Sequence, residues 1–100
     1  MKNNLLESQV VEKIREALDI HYPGFYFKCH GGLFQIVGLP DIIGVHKGRF
    51  IAIEVKLPSK RKTYRKNQRK IITHIKLCGG VAFMATSTKD TIKNMKEMLK

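Results

Sequence analysis

Three charged residues, Asp41, Glu54 and Lys56, fall in or beside apolar segments where a solvated surface charge would be out of place. In Phe50-Ile51-Ala52-Ile53-Glu54-Val55-Lys56-Leu57, a period of two puts Ile51, Ile53, Val55 and Leu57 on one face. Ala52, Glu54 and Lys56 share the other face, so carboxylate and ammonium point the same way as near neighbours. A carboxylate in that position can ligate a hard divalent cation through oxygen. The ammonium beside it can orient a water and offset phosphate charge. Taken alone, Glu-x-Lys reads first as a same-face ion pair beside a loop.

Asp41 changes that reading. It follows Gly38-Leu39-Pro40 at the mouth of the preceding apolar run, Asp41-Ile42-Ile43-Gly44-Val45-His46. If this run pairs antiparallel with Phe50 to Val55 across Lys47-Gly48-Arg49, the two outer ends meet. Asp41 and Glu54 can then chelate one cation, with the Val55 carbonyl as a further oxygen ligand. Magnesium suits an oxygen-rich, partly hydrated site of this kind. The alternative is an aspartate that satisfies its own turn.

Two helical positions add to the set. Glu7 lies along the face of Val11, Ile14 and Leu18, where an acid is costly unless paired, coordinated or at the open end of the stripe. It is a candidate metal ligand, direct or through water, or else a charge favouring the helix dipole. Gln68 falls in line with Ile72 and Ile75, where its amide can hold a phosphate oxygen, the attacking water or Lys56. The basic stretch that follows the site offers Lys60, Arg61, Lys62, Arg65, Lys66, Arg69 and Lys70 to backbone phosphates. Tyr64 within it can stack on a splayed base or pack. His30 and His46 can face the same cleft, although Lys56 already fills the role of a base.

The elements that must position these residues follow from periodicity and punctuation. A helix is predicted over Leu5 to Leu18, then Tyr22-Pro23-Gly24 interrupts. Strands are predicted at Phe25 to His30, Asp41 to His46, Phe50 to Leu57 and Val81 to Thr86, with Leu33 to Ile36 as a strand or ordered loop. Ser59 to Tyr64 reads as a basic loop. Helices are predicted over Arg65 to Leu77, ending at Gly79-Gly80, and over Thr88 to Leu99, with Ile92, Met95 and Leu99 on one side. The order is α-β-β-β-α-β-α, an α/β chain with a mixed β-sheet flanked by helices, read as one domain over residues 1–100.

Composition bounds the rest. Apolar residues form 43% of the 100, enough for one core and too many for a disordered tail. Nineteen Lys and Arg against eight Asp and Glu leave a formal charge of +11, a bias toward polyanions. No apolar run approaches the roughly 20 residues of a membrane span, and the first residues lack a signal-peptide core. A cytoplasmic protein is expected, with no membrane partner and no organic cofactor. Cys29 and Cys78 read as ordinary thiols, and their spacing with His30 and His74 argues against structural zinc.

Gly38-Leu39-Pro40-Asp41-Ile42-Ile43, Glu54-Val55-Lys56, Gln68 and Gly79-Gly80-Val81-Ala82-Phe83 together resemble the PD-(D/E)XK nuclease pattern in its VRR-NUC form. The resemblance runs from Glu7 to about Asp90, although no clean Val-Arg-Arg stands near the site. It implies a restriction-endonuclease-like core and Mg²⁺- or Mn²⁺-dependent phosphodiester hydrolysis. It also implies that Glu7, Asp41 and Glu54 are the acids, Lys56 the catalytic lysine and Gln68 the supporting residue. The compact phage and bacterial members resemble Holliday (four-way) junction resolvases acting as homodimers, in DNA repair and recombination. Flap, nick or general duplex cleavage is the alternative within the class, and a non-catalytic nucleic-acid-binding module the alternative outside it.

Glu54→Ala separates these classes. A nuclease loses Mg²⁺-dependent cleavage in this variant while keeping DNA binding, read by gel shift beside a cleavage assay. Cleavage that persists in pure Glu54→Ala protein would sink the assignment of the acid.

Overall fold

The computed structural model describes residues 6–29 and 37–100, with the side chains of Arg61 and Lys62 outside that set. In chain order the elements are α1 (Glu7–His21), β1 (Phe25–Lys28), β2 (Ile42–His46), β3 (Arg49–Val55), a 3₁₀ helix (Pro58–Thr63), α2 (Lys66–Leu77), β4 (Val81–Ala85) and α3 (Thr88–Met98). One sheet of four strands, ordered β1-β2-β3-β4, is antiparallel through β3 and parallel between β3 and β4. This is the mixed, helix-flanked sheet of a restriction-endonuclease-like core.

The hairpin between β2 and β3 sets the register on which the rest depends. Lys47 and Gly48 both have positive φ, 48° and 80°, so two residues turn the chain in the sense that matches strand twist. Glycine adopts that conformation without a Cβ clash. Arg49 is thus the first residue of β3, paired with His46, and Ile42 pairs with Ile53.

The two faces of the sheet are covered differently. Ile51, Ile53 and Val55 point into a core with Val11, Ile14 and Leu18 of α1, Ile42, Val81 and Met95 of α3. Each such side chain contributes roughly 1.5–3 kcal/mol when fully buried. On the opposite face Ile72 of α2 packs on Ala52 and Ala82, with Tyr64 and Ile75 against them. The small Ala52–Ala82 pair on neighbouring strands lets α2 lie close to the backbone there.

Several boundaries differ from expectation, each for a local reason. α1 continues to His21, because nothing breaks it before Tyr22, whose backbone is held out of the helical region by Pro23. β1 stops at Lys28, and β3 stops at Val55, although Lys56 N–H still donates to Ala85 O at 3.0 Å. The predicted basic loop is a 3₁₀ helix: Pro58 suits a first helical turn, and Lys60 N–H donates to Leu57 O at 2.8 Å. Cys29 is half-buried, whereas Cys78 is exposed at the end of α2. The expected strand or loop at Leu33 to Ile36 lies outside the described residues.

Ile53 is fully buried at the centre of the larger core. Ile53→Ala should lower the free energy of unfolding by about 2–5 kcal/mol, measured by urea denaturation with an unchanged m-value. A loss below about 1 kcal/mol would mean that the core at this point is loosely packed.

Candidate active site

Asp41 stands immediately before β2, and Glu54 and Lys56 stand at the far end of β3, so the hairpin register alone brings them together. Asp41 is also tied there directly. Its Oδ2 accepts the Val55 N–H at 2.8 Å, and its main-chain carbonyl accepts the Cys29 N–H at 2.7 Å. The carboxylate therefore takes the place of a ladder partner one step beyond the Ile42–Ile53 pair. In a strand a residue's N–H and C=O face the same neighbour, so the Val55 carbonyl lies on the β2 side of β3.

Glu54 and Lys56 are 3% and 7% exposed, which makes their charges the most deeply buried ones described. Lys56 Nζ lies 3.6 Å from Glu54 Oε2. The same oxygen accepts a hydrogen bond from Gln68 Nε2 at 3.0 Å. Gln68 Oε1 in turn accepts the Arg65 N–H at 2.9 Å, capping the first turn of α2. Because the amide oxygen is committed to a backbone donor, the amide nitrogen must face Glu54. One side chain thus starts the helix and fixes the acid.

Burial pushes the Glu54 carboxyl up to about 8, helped by the charge of Asp41, a hydrogen bond to Asp41 and the charge of Glu7, and opposed by Lys56. Glu7, the first residue of α1, is half-buried, and its carboxyl is raised by burial and by Asp41 and lowered by Lys56 and Lys28. It approaches from the α1 side of the sheet and shares no hydrogen bond with the other acids among the described residues. No three His, Cys, Asp or Glu side chains converge into a ready metal cage among the described residues. The donors that do converge are the carboxylates of Asp41 and Glu54. That set fits a hard cation which keeps much of its water.

The basic residues divide. Lys66, Arg69, Lys70, Thr73, His74 and Leu77 recur at helical spacing on the outer side of α2 and line an open groove of about 460 Å³. Lys60 and Arg65 are exposed nearby, and the Arg61 and Lys62 side chains lie outside the described set. Arg69 is held in place, its Nε donating to Tyr64 O at 3.1 Å and its guanidinium 4.8 Å from the Tyr64 ring centroid. Tyr64 is half-buried and packs against Ala52 and Ile72.

Sequence reasoning misjudged some positions and missed others. His46 does not face the cleft: it is buried on the α1 face, its Nδ1 2.8 Å from Pro23 O and its ring edge-on to Tyr22. His30 lies outside the described residues. Lys28, whose charge reaches Glu7, was overlooked because only the register Lys28–Ile42 sets it one step from Asp41. Asn67 was also overlooked. Gly38, with φ +86°, passes so close to Asn67 that an added Cβ would lie 3.1 Å from its carbonyl carbon. That close approach seats the loop before Asp41 on the first turn of α2, beside a small pocket of about 180 Å³ that includes Gln68 and Arg65.

One family model matches the chain, that of the archaeal Holliday junction resolvase (Hjc), over residues 31–99. No curated protein matches. The match overturns the resemblance to the VRR-NUC form, and with it the expectation of a VRR-NUC domain. The resemblance rested on a Pro-Asp, a Glu-x-Lys, a downstream glutamine and a Gly-Gly before the last strand, a short set that does not by itself separate nuclease families. The Val-Arg-Arg that would have separated them is not in the sequence. No helix among the described residues is long and apolar enough to cross a membrane.

The raised Glu54 carboxyl gives the metal-free protein a pH signature. Between its ordinary 4.5 and about 8, the folded chain keeps a proton that the unfolded chain has lost. Stability therefore falls as pH rises through this window, and Glu7 acts in the same direction. In EDTA the urea midpoint of wild type should fall from pH 4.5 to 8 relative to Glu54→Gln. Parallel pH profiles for the two proteins would contradict a buried, proton-holding Glu54.

Proposed function

From the premise that this chain belongs to the archaeal Holliday junction resolvase family, and is a metal-dependent endonuclease that resolves four-way DNA junctions, we propose that Asp41, Glu54 and Lys56 carry the hydrolysis. The observation behind this reading is the convergence of two carboxylates and one buried ammonium at the open end of the β2–β3 hairpin. Residues 1–100 act as one nuclease domain in this reading, with DNA as the partner.

Asp41, Glu54 and the Val55 carbonyl would hold Mg²⁺, for which Mn²⁺ can substitute, and Glu7 would complete or tune that shell. When bound, the cation supplies Lewis acidity toward the phosphate and lowers the pKa of a bound water. Lys56 donates from a nearly buried position to the attacking water and to the charge that develops on the phosphate. Gln68 keeps the Glu54 carboxylate from turning away, since its amide is fixed at the other end by the Arg65 N–H. The outer side of α2 meets backbone phosphates through Lys66, Arg69 and Lys70, and the basic stretch before it, Lys60, Arg61, Lys62 and Arg65, adds charge to the same partner. Such pairings position the strand without reading its bases. A second copy of the chain supplies the second incision that a symmetric junction requires.

Lys56→Ala should reduce single-turnover cleavage of a four-way junction by roughly 10²–10³-fold at unchanged junction affinity. The triple variant Lys60→Ala, Lys66→Ala, Lys70→Ala should instead weaken binding and lower the salt slope by about one unit for each lysine that pairs with a phosphate. The substrate panel is junction, flap, nicked duplex and single strand with Mg²⁺, and paired symmetric incisions are expected in the junction. Full activity of Lys56→Ala, or Mg²⁺-independent cutting, would rule out this use of the site.

A further inference from the structure

Arg69 differs from the lysines of the α2 groove in being held. Its Nε donates to the Tyr64 carbonyl at 3.1 Å, and its guanidinium carbon lies 4.8 Å from the centre of the Tyr64 ring. Lys66 and Lys70 line the same groove, but an ammonium on a four-carbon stem acts as a mobile point charge.

The ring that holds Arg69 is itself fixed. Tyr64 packs on Ala52 of β3 and on Ile72 of α2. Ala52 stands two residues before Glu54, on the same face of the strand. Burial pushes the Tyr64 phenol up, the Glu54 charge adds to that and Arg69 opposes it, so the ring lies within electrostatic reach of both. On α2 the residue before Arg69 is Gln68, whose amide nitrogen donates to Glu54 at 3.0 Å. Two short routes, one through the Tyr64 ring and one through Gln68, therefore fix Arg69 relative to the acid.

We propose that Tyr64 positions Arg69 as a clamp for one backbone phosphate near the scissile one, and that this clamp sets which phosphate enters the acidic site. The proposal rests on the nuclease reading of Asp41, Glu54 and Lys56. With Nε on a carbonyl and one guanidinium face on the ring, the two terminal nitrogens of Arg69 are left to grip a phosphate in bidentate fashion. Arg69 is exposed and lines the groove of about 460 Å³, so a strand reaches it without disturbing the fold. The groove follows α2 from Lys66 to Leu77, roughly 16 Å at the helical rise. A mobile lysine adds affinity wherever the strand lies along it. A guanidinium with a fixed place favours one register, because less freedom is lost when a phosphate binds there. Tyr64 acts only through Arg69.

The test uses four-way junctions that carry a single neutral methylphosphonate linkage, moved stepwise along one strand near the branch point. Affinity is read in EDTA, so that it is independent of cleavage. For wild type one linkage should stand out, its neutralisation weakening binding by roughly tenfold or more, as loss of a charge-assisted contact does. In Arg69→Lys and in Tyr64→Leu the same neutral linkage should cost less than about threefold, because the partner it would lose is already gone. Tyr64→Phe keeps the ring and should restore the wild-type pattern. Lys70→Ala should weaken binding while the same linkage still stands out. With Mg²⁺ and the unmodified junction, Arg69→Lys and Tyr64→Leu should spread the incision over neighbouring phosphates, which a loss of packing alone would not do. If Tyr64→Leu does not fold, Arg69→Lys alone carries the test. An equal loss at that linkage in wild type and Arg69→Lys, or an incision that keeps its position in the variants, would overturn the clamp. A wild type that shows the linkage pattern and does not cut would leave the clamp standing and overturn the use of Asp41, Glu54 and Lys56. Cutting without the linkage pattern would do the reverse.

Discussion

Placing a buried carboxylate and ammonium, Glu54 and Lys56, beside the half-buried Asp41 at the end of an otherwise apolar sheet is the constraint around which the molecule is built. A charge removed from water is costly unless it is paired and hydrogen-bonded. Here every member of the group has a partner held by backbone. Asp41 receives the Val55 N–H, Glu54 receives the Gln68 amide, and Lys56 stands beside Glu54. The balance is still incomplete, because Glu54 faces Asp41 in a setting that favours its protonated form.

That organisation makes the acidic site and the fold share residues. Gln68 both begins α2 and fixes Glu54, and the Asp41 side chain extends the β2–β3 ladder by one hydrogen bond. The two-residue turn at Lys47-Gly48, at the other end of the hairpin, decides which side chains meet at the site. Slipping the register by one residue would send Glu54 and Lys56 into the core occupied by Ile53 and Val55. The deep burial of those core residues specifies the register strongly.

The sheet's unequal covering divides the surface by chemistry. One face is closed by α1 and α3, and the other is half-closed by α2, which presents its cations outward and its isoleucines inward. The uncovered remainder, with Phe25, Phe27, Val45 and Phe50, is apolar and uncharged. Exposed cations and bare apolar side chains thus occupy different surfaces on a chain of 100 residues.

Alternation and spacing were enough to identify the strands, the order of the elements and the opposed faces of β3, because a period of two or 3.6 is a local property. They were also enough to bring Asp41, Glu54 and Lys56 together, since a short hairpin converts sequence distance into proximity. The element ends were less legible: the 3₁₀ helix after Pro58 and the extension of α1 to His21 depend on weak local preferences. Lys28 and Asn67 escaped notice because they reach the site only through strand pairing and loop packing, which leave no periodic trace. His46 was misjudged because a polar side chain at a strand end carries no mark of which backbone carbonyl it will meet. The opening trio was therefore written in the sequence by itself. The proton held by Glu54, the double use of Gln68 and the bare apolar face required tertiary structure, because each depends on burial and on partners distant in the chain.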